Sequence, residues 1–113
     1  MLFVSTLLAD TDLKLGGVVR RLVDVYQPRR IYLFGSVARG EAGPDSDYDL
    51  LILVPDDAPP AHRSSRVGYQ ALRGTGVAAD VIVWTESAFH RRAAVPSSLP
   101  AIVLREGKVL HDA

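Results

Sequence analysis

Two aspartates one residue apart, Asp47 and Asp49, open the apolar run Leu50 to Val54. On an extended chain, side chains two apart point to the same face, so a strand here sends both carboxylates off the sheet together. Upstream lies a second apolar run, Ile31 to Phe34, followed at once by Gly35 and Ser36. A glycine at that point lets backbone approach a ligand closely, and the helix start it opens offers unpaired N–H groups to an anion. Residues 31 to 54, IYLFGSVARGEAGPDSDYDLLILV, therefore read as strand, Gly-Ser turn with a short helix, polar loop, strand. One side of that connection suits a phosphate and the other a cation, which points to metal-dependent chemistry on a nucleotide phosphate.

The rest of the chain fits around this stretch. From about Asp12 to Tyr26, Leu15, Val18, Val19, Leu22, Val25 and Tyr26 recur at helical spacing, with Pro28 ending the run. Gly16 and Gly17 weaken that helix at its start, each at a cost of ~1 kcal/mol against alanine. Residues 1 to 9 are open to two readings, a loose lead-in or the apolar start of the same helix. Ser36 to about Arg39 forms the short helix, which Gly40 terminates. After the loop Pro55 to Pro60, a weakly amphipathic helix is expected over Ala61 to Arg73, burying Val67, Ala71 and Leu72. Gly74 and Gly76 lead into a third strand, Val77 to Trp84, whose alternation puts Ala78, Asp80, Ile82 and Trp84 on one face. Thr85 is placed to N-cap a helix running to about Ala94, and a last helix from about Ser98 to Glu106 stops at Gly107. Val109 to His111 is a short edge strand. The alternation of helix and strand predicts an α/β (α+β) fold with a small mixed sheet of three to four strands flanked by helices.

Length and charge narrow the functional classes. The 113 residues make one domain, 1–113, with a single modest core. Lys plus Arg and Asp plus Glu both number 13, so bulk charge favours neither nucleic acid nor a membrane. The lack of cysteine excludes disulfides, zinc–thiolate sites and thiol catalysis. The opening MLFVSTLLA has no basic flank and meets Asp10 too soon for a signal peptide or a span, so the cytoplasm is the expected location.

Asp80 sharpens the reading. It is a carboxylate inside the apolar strand AADVIVW, where burial without a partner costs several kcal/mol or shifts its pKa. If this strand lies beside the one after Asp49, Asp80 faces the same spot as Asp47 and Asp49. Close carboxylates stay ionised together only when cations neutralise them, and Mg²⁺, an oxygen-seeking ion that keeps places for substrate phosphates, suits such a cluster. The ordinary alternatives are a solvated turn edge for Asp47 and Asp49, and edge exposure or an arginine partner for Asp80.

Gly35-Ser36, ten residues, then Asp47-Tyr48-Asp49 resembles the G-S-x10-D-x-D signature of the DNA polymerase β-like nucleotidyltransferase superfamily. The string GSVARGEAGPDSDYDLLILV is similar to the minimal nucleotidyltransferases (MNT domains), and the likeness extends to the later lone Asp80 and the ending REGKVL. The resemblance implies the nucleotidyltransferase fold, with Asp47, Asp49 and Asp80 as catalytic residues ligating two Mg²⁺ ions. It implies that Gly35 and Ser36 hold the β- and γ-phosphates of a nucleoside triphosphate, with ATP the donor of AMP. Arg39 matches the family's arginine and stands with these nucleotide-binding positions; bracing the loop or pairing with a site carboxylate is set ahead of a phosphate contact. Ser46 caps or orients the loop.

No residues remain for a domain that grips the acceptor, so a partner or a second copy of this chain must supply it. The resemblance implies a small helical HEPN-type toxin as partner, with this chain the antitoxin that transfers AMP to a toxin tyrosine. The alternatives are a non-catalytic module acting by occlusion, and transfer to RNA or a small molecule. The pairs Arg20-Arg21, Arg29-Arg30 and Arg91-Arg92 read as solvated faces or salt-bridge partners rather than an RNA surface. His62, His90 and His111 have no metal spacing and are expected at the surface, and Trp84 belongs to a core or an interface.

Overall fold

The computed structural model describes residues 9–41, 43 and 47–113. Helix α1 (Ala9–Tyr26) starts earlier than its apolar spacing requires and buries Leu15, Val18, Leu22 and Tyr26 along one stripe. Gly16 and Gly17 do not interrupt it, because burial of that stripe outweighs their intrinsic cost. The helix ends when Gln27 turns to φ +48, one residue before Pro28. The initial stretch 1–8, and Ser46 in the polar loop, lie outside the described residues.

Strand β1 (Arg30–Phe34) leads into the short helix α2 (Gly35–Ala38), and Gly40 leaves it at φ +74 with its N–H donating to the Val37 carbonyl. Strand β2 (Tyr48–Val54) is central and buried along most of its length. The helix expected over 61–73 is divided into a 3-10 turn (Pro60–Arg63) and α3 (Ser65–Ala71). The division falls at Ser64, which is extended and whose hydroxyl accepts the Arg66 N–H, so its preference for capping prevails over a weak apolar pattern. Strand β3 (Ala79–Thr85), α4 (Glu86–Ala93), α5 (Leu99–Glu106) and β4 (Lys108–Asp112) complete the order.

The four strands form one mixed sheet in the order β3-β2-β1-β4. β1 pairs antiparallel with both β2 and β4, whereas β2 and β3 run parallel. One face carries α1 and α3 over Ile31, Leu33, Leu50, Ile52, Val54 and Val81. The other carries α4 and α5 through Phe89 and Val103, packed on Tyr32, Leu51 and Leu53. Among the described residues no helix is long and apolar enough to cross a membrane.

Two contacts hold α3 close to the sheet. A Cβ on Gly68 would lie 2.8 Å from the Tyr26 hydroxyl and 2.9 Å from Val81 Cγ1, so only glycine permits this approach. The buried Tyr26 hydroxyl donates to the Ser64 carbonyl at 2.6 Å and accepts the Gly68 N–H at 2.9 Å, bridging the first turn of α3. Its burial pushes the phenol pKa up. Tyr26→Phe is expected to cost about 1–3 kcal/mol, because two hydrogen bonds of a buried hydroxyl are lost together. A lowered midpoint in urea, at unchanged slope, checks this.

Helix ends elsewhere differ from local expectation. Thr85 occupies the N-cap position of α4, but its side chain makes no cap bond; Asp56 Oδ1, from the loop after β2, accepts the Ser87 N–H at 2.9 Å. That bond is the main reason the Asp56 carboxyl is held below its ordinary pKa. Ser98 caps α5 through its hydroxyl. Gly107 ends α5 without a left-handed turn; a Cβ there would sit 2.5 Å from the Val103 carbonyl oxygen and 3.2 Å from that of Leu33.

Candidate active site

The site lies where β1 ends and where β2 and β3 begin. In the sheet register Asp49 stands opposite Phe34 on one side and Asp80 on the other. Partners in register share a face, so the Asp49 and Asp80 carboxylates stand side by side across two parallel strands. The same alternation puts Leu51 and Leu53 on that face, where α4 and α5 cover them. The carboxylates occupy the end of this face nearest the start of the strands. Asp47 precedes β2 by one residue and is exposed, Asp80 is exposed, and Asp49 is half-buried.

Gly35 closes the inner side. It has φ +76, and a Cβ there would run into Asp49 Oδ2 and lie 3.0 Å from its Cγ. The turn and the carboxylate are therefore in contact, and the first N–H groups of α2 stand next to an acidic cluster. Ser36 follows on α2, half-exposed.

Electrostatics follow from the crowding. The Asp49 carboxyl is pushed above its ordinary pKa first by burial, then by Asp80 and by Asp47, while Arg39 opposes the shift. Both neighbouring acids thus make a charge on Asp49 less favourable. Among the described residues no three His, Asp or Glu side chains are already gathered at ligating distance. Asp47 and Asp80 are exposed, so both side chains have room to turn towards Asp49. An all-oxygen donor set of converging carboxylates fits a hard divalent ion such as Mg²⁺.

Arg39 makes its ion pairs with neither Asp47, Asp49 nor Asp80. Its Nε donates to Glu41 Oε1 at 2.9 Å and its Nη1 lies 3.5 Å from Glu106 Oε1. The guanidinium braces the start of the polar loop against α5 while its charge still reaches Asp49. Glu106 was invisible to sequence reasoning, since it stands 67 positions from Arg39 and no local pattern links them.

The remaining candidates have structural roles. Trp84, half-buried, packs against the buried cluster of Tyr32, Leu51, Leu53, Phe89 and Val103 on the α4–α5 face. His62 meets the ring of Tyr26 edge-on, His90 meets Phe89, and His111 is half-buried on β4, so only His90 of the three is fully exposed as expected. Arg29 pairs with Glu86 and Arg30 with Asp112, as salt-bridge partners at the far end of the sheet.

A family model for the nucleotidyltransferase domain matches residues 15–110. No curated protein sequence matches the chain. Among solved structures, a Sulfolobus solfataricus protein described as a nucleotidyltransferase superposes with a TM-score of 0.58 at 22% identity, over 88% of this chain and 79% of that one. A toxin–antitoxin solved with AMP-PNP gives 0.56 at 21% identity, over 85% and 72%. A mutant of the toxin–antitoxin MntA–HpeT gives 0.53 at 19% identity, over 84% and 71%. At these identities the likeness speaks for the fold.

Proposed function

This chain belongs to the nucleotidyltransferase domain family, and on that premise we propose that it transfers AMP from ATP to a tyrosine hydroxyl of a small helical HEPN-type partner, as the antitoxin of a toxin–antitoxin pair in the cytoplasm. The observation that carries the chemistry is the register pair Asp49–Asp80 with Gly35 packed against it. The toxin–antitoxin neighbours, one of them solved with AMP-PNP, support the choice of partner and donor.

In this reading the N–H groups of Gly35 and Ser36 hold the β- and γ-phosphates on the β1 flank of the site. Two Mg²⁺ ions held by Asp47, Asp49 and Asp80 would lower the pKa of the acceptor hydroxyl and neutralise the leaving pyrophosphate. The acceptor oxygen bonds to the α-phosphorus, the bond from that phosphorus to the pyrophosphate oxygen breaks, and the hydroxyl proton passes to the exposed Asp80 carboxylate and then to water. Arg39 ties Glu41, where the polar loop begins, to Glu106 on α5. Catalysis is chiefly positioning and charge neutralisation.

The test incubates the protein and its co-purifying partner with Mg²⁺ and ATP labelled at the α-phosphate. Label is expected on the partner, and Asp47→Asn is expected to remove about 10²–10³-fold of the rate. Neutralisation of the partner by Asp47→Asn at full strength, with no label transferred by the wild type, would instead establish occlusion.

A further inference from the structure

We propose that the concave outer face of α3, beside the free edge of β3, is the docking surface for an acidic polypeptide segment that delivers the acceptor hydroxyl. The inference rests on the transfer reaction proposed above and names the side from which its acceptor enters. In-line displacement places the acceptor opposite the leaving group. The pyrophosphate leaves on the flank of Gly35 and Ser36, after β1, and the order β3-β2-β1 makes the opposite flank the edge strand β3.

That flank has a defined border. The Tyr69 hydroxyl accepts the Val81 N–H at 3.0 Å, which anchors α3 at the edge of β3 on the face opposite the Asp80 carboxylate, so a segment docked there reaches the carboxylates by passing round that edge. It also occupies the outer edge of β3 there, so a partner engages side chains rather than adding a strand. Ser64, Ser65, Arg66, Tyr69, Gln70 and Arg73 surround a concavity of about 420 Å³. Arg66, Tyr69 and Gln70 share one helical face and Arg73 follows just past its end; Tyr69 is 45% exposed.

Charge selects the occupant. The lining of the concavity holds two arginines and no carboxylate, and among the described residues Arg66 and Arg73 form no ion pair. Arg21 stands behind them, its Nη1 donating to the carbonyls of Ala71 and Arg73. Free guanidiniums beside an exposed tyrosine complement carboxylates, which they bind as planar forks. A nucleic acid strand needs a longer track of cations, and this chain has a net formal charge of zero.

The probe is a fluorescein-labelled random copolymer of glutamate and tyrosine, read by anisotropy, with a lysine–tyrosine copolymer and a labelled oligoadenylate as comparisons. The wild type is expected to bind the acidic copolymer in preference to both. Arg66→Glu with Arg73→Glu is expected to weaken binding about tenfold or more, and Arg66→Gln with Arg73→Gln to weaken it less, with Mg²⁺–ATP binding unchanged in both. Asp49→Asn is expected to lose Mg²⁺–ATP and keep the copolymer, so failure of the catalytic reading and failure of the docking surface are separate results. Equal binding by wild type and both arginine variants, no binding by the wild type, or a preference for oligoadenylate carried by the same arginines would overturn the proposal.

Discussion

Asp49→Asn is expected to abolish transfer, by about 10³-fold or more, while making the protein without metal harder to unfold. Both effects have one origin. The carboxylate is half-buried, stands beside Asp80 across the parallel pair, and feels Asp47 two residues away. In the folded chain without metal its charge is disfavoured, as its raised pKa records; a carboxylate shifted that way subtracts stability at neutral pH and subtracts less as pH falls towards the raised value. An amide of the same shape removes the repulsion and with it the reason for a cation to bind. Thermal unfolding with and without Mg²⁺ reads the difference. The wild type should gain stability with added Mg²⁺ and ATP, by the mass action of binding to the folded state, and Asp49→Asn should start higher and gain little.

Gly35→Ala carries the second large effect. The backbone at φ +76 costs an alanine about 1–2 kcal/mol, and its Cβ would overlap the Asp49 carboxylate. Something must move, and either the turn leaves the position proposed for the phosphates or Asp49 leaves its place beside Asp80. A displacement of about 1 Å in such a site is worth about 10²-fold in rate. The expected variant is folded, slightly destabilised, and impaired in both Mg²⁺–ATP binding and transfer. An alanine at Gly16, where nothing lies within 4 Å of the added Cβ, should leave transfer unchanged and serves as the comparison.

The parts of the fold that follow from local alternation were legible in the sequence. Asp49 and Asp80 share a face because each lies in a strand of period two, and the same argument put Ile82 and Trp84 beside them. Helix α1 was legible because Leu15, Val18, Leu22 and Tyr26 repeat at one spacing and bury together. What the sequence could not display were contacts between distant residues. Asp56 caps α4 from another loop, Glu106 holds Arg39 across 67 positions, and Gly68 is needed only because Tyr26 and Val81 press on it. Ser64 shows a different limit, where a capping hydroxyl and a weak amphipathic run competed and the hydroxyl prevailed. The adjacency of β2 and β3, on which the Asp80 reading depended, is likewise a property of the sheet and not of either strand.

The central claim is that Asp47, Asp49 and Asp80 converge on metal beside the Gly35 turn. Crystals grown with Mn²⁺ and AMP-PNP, measured for anomalous scattering at the manganese edge, test it directly. The account requires manganese peaks bounded by oxygens of all three aspartates, with the β- and γ-phosphates against the Gly35 and Ser36 N–H groups. Manganese held elsewhere, or a triphosphate seated away from that turn with Asp80 uninvolved, would contradict it.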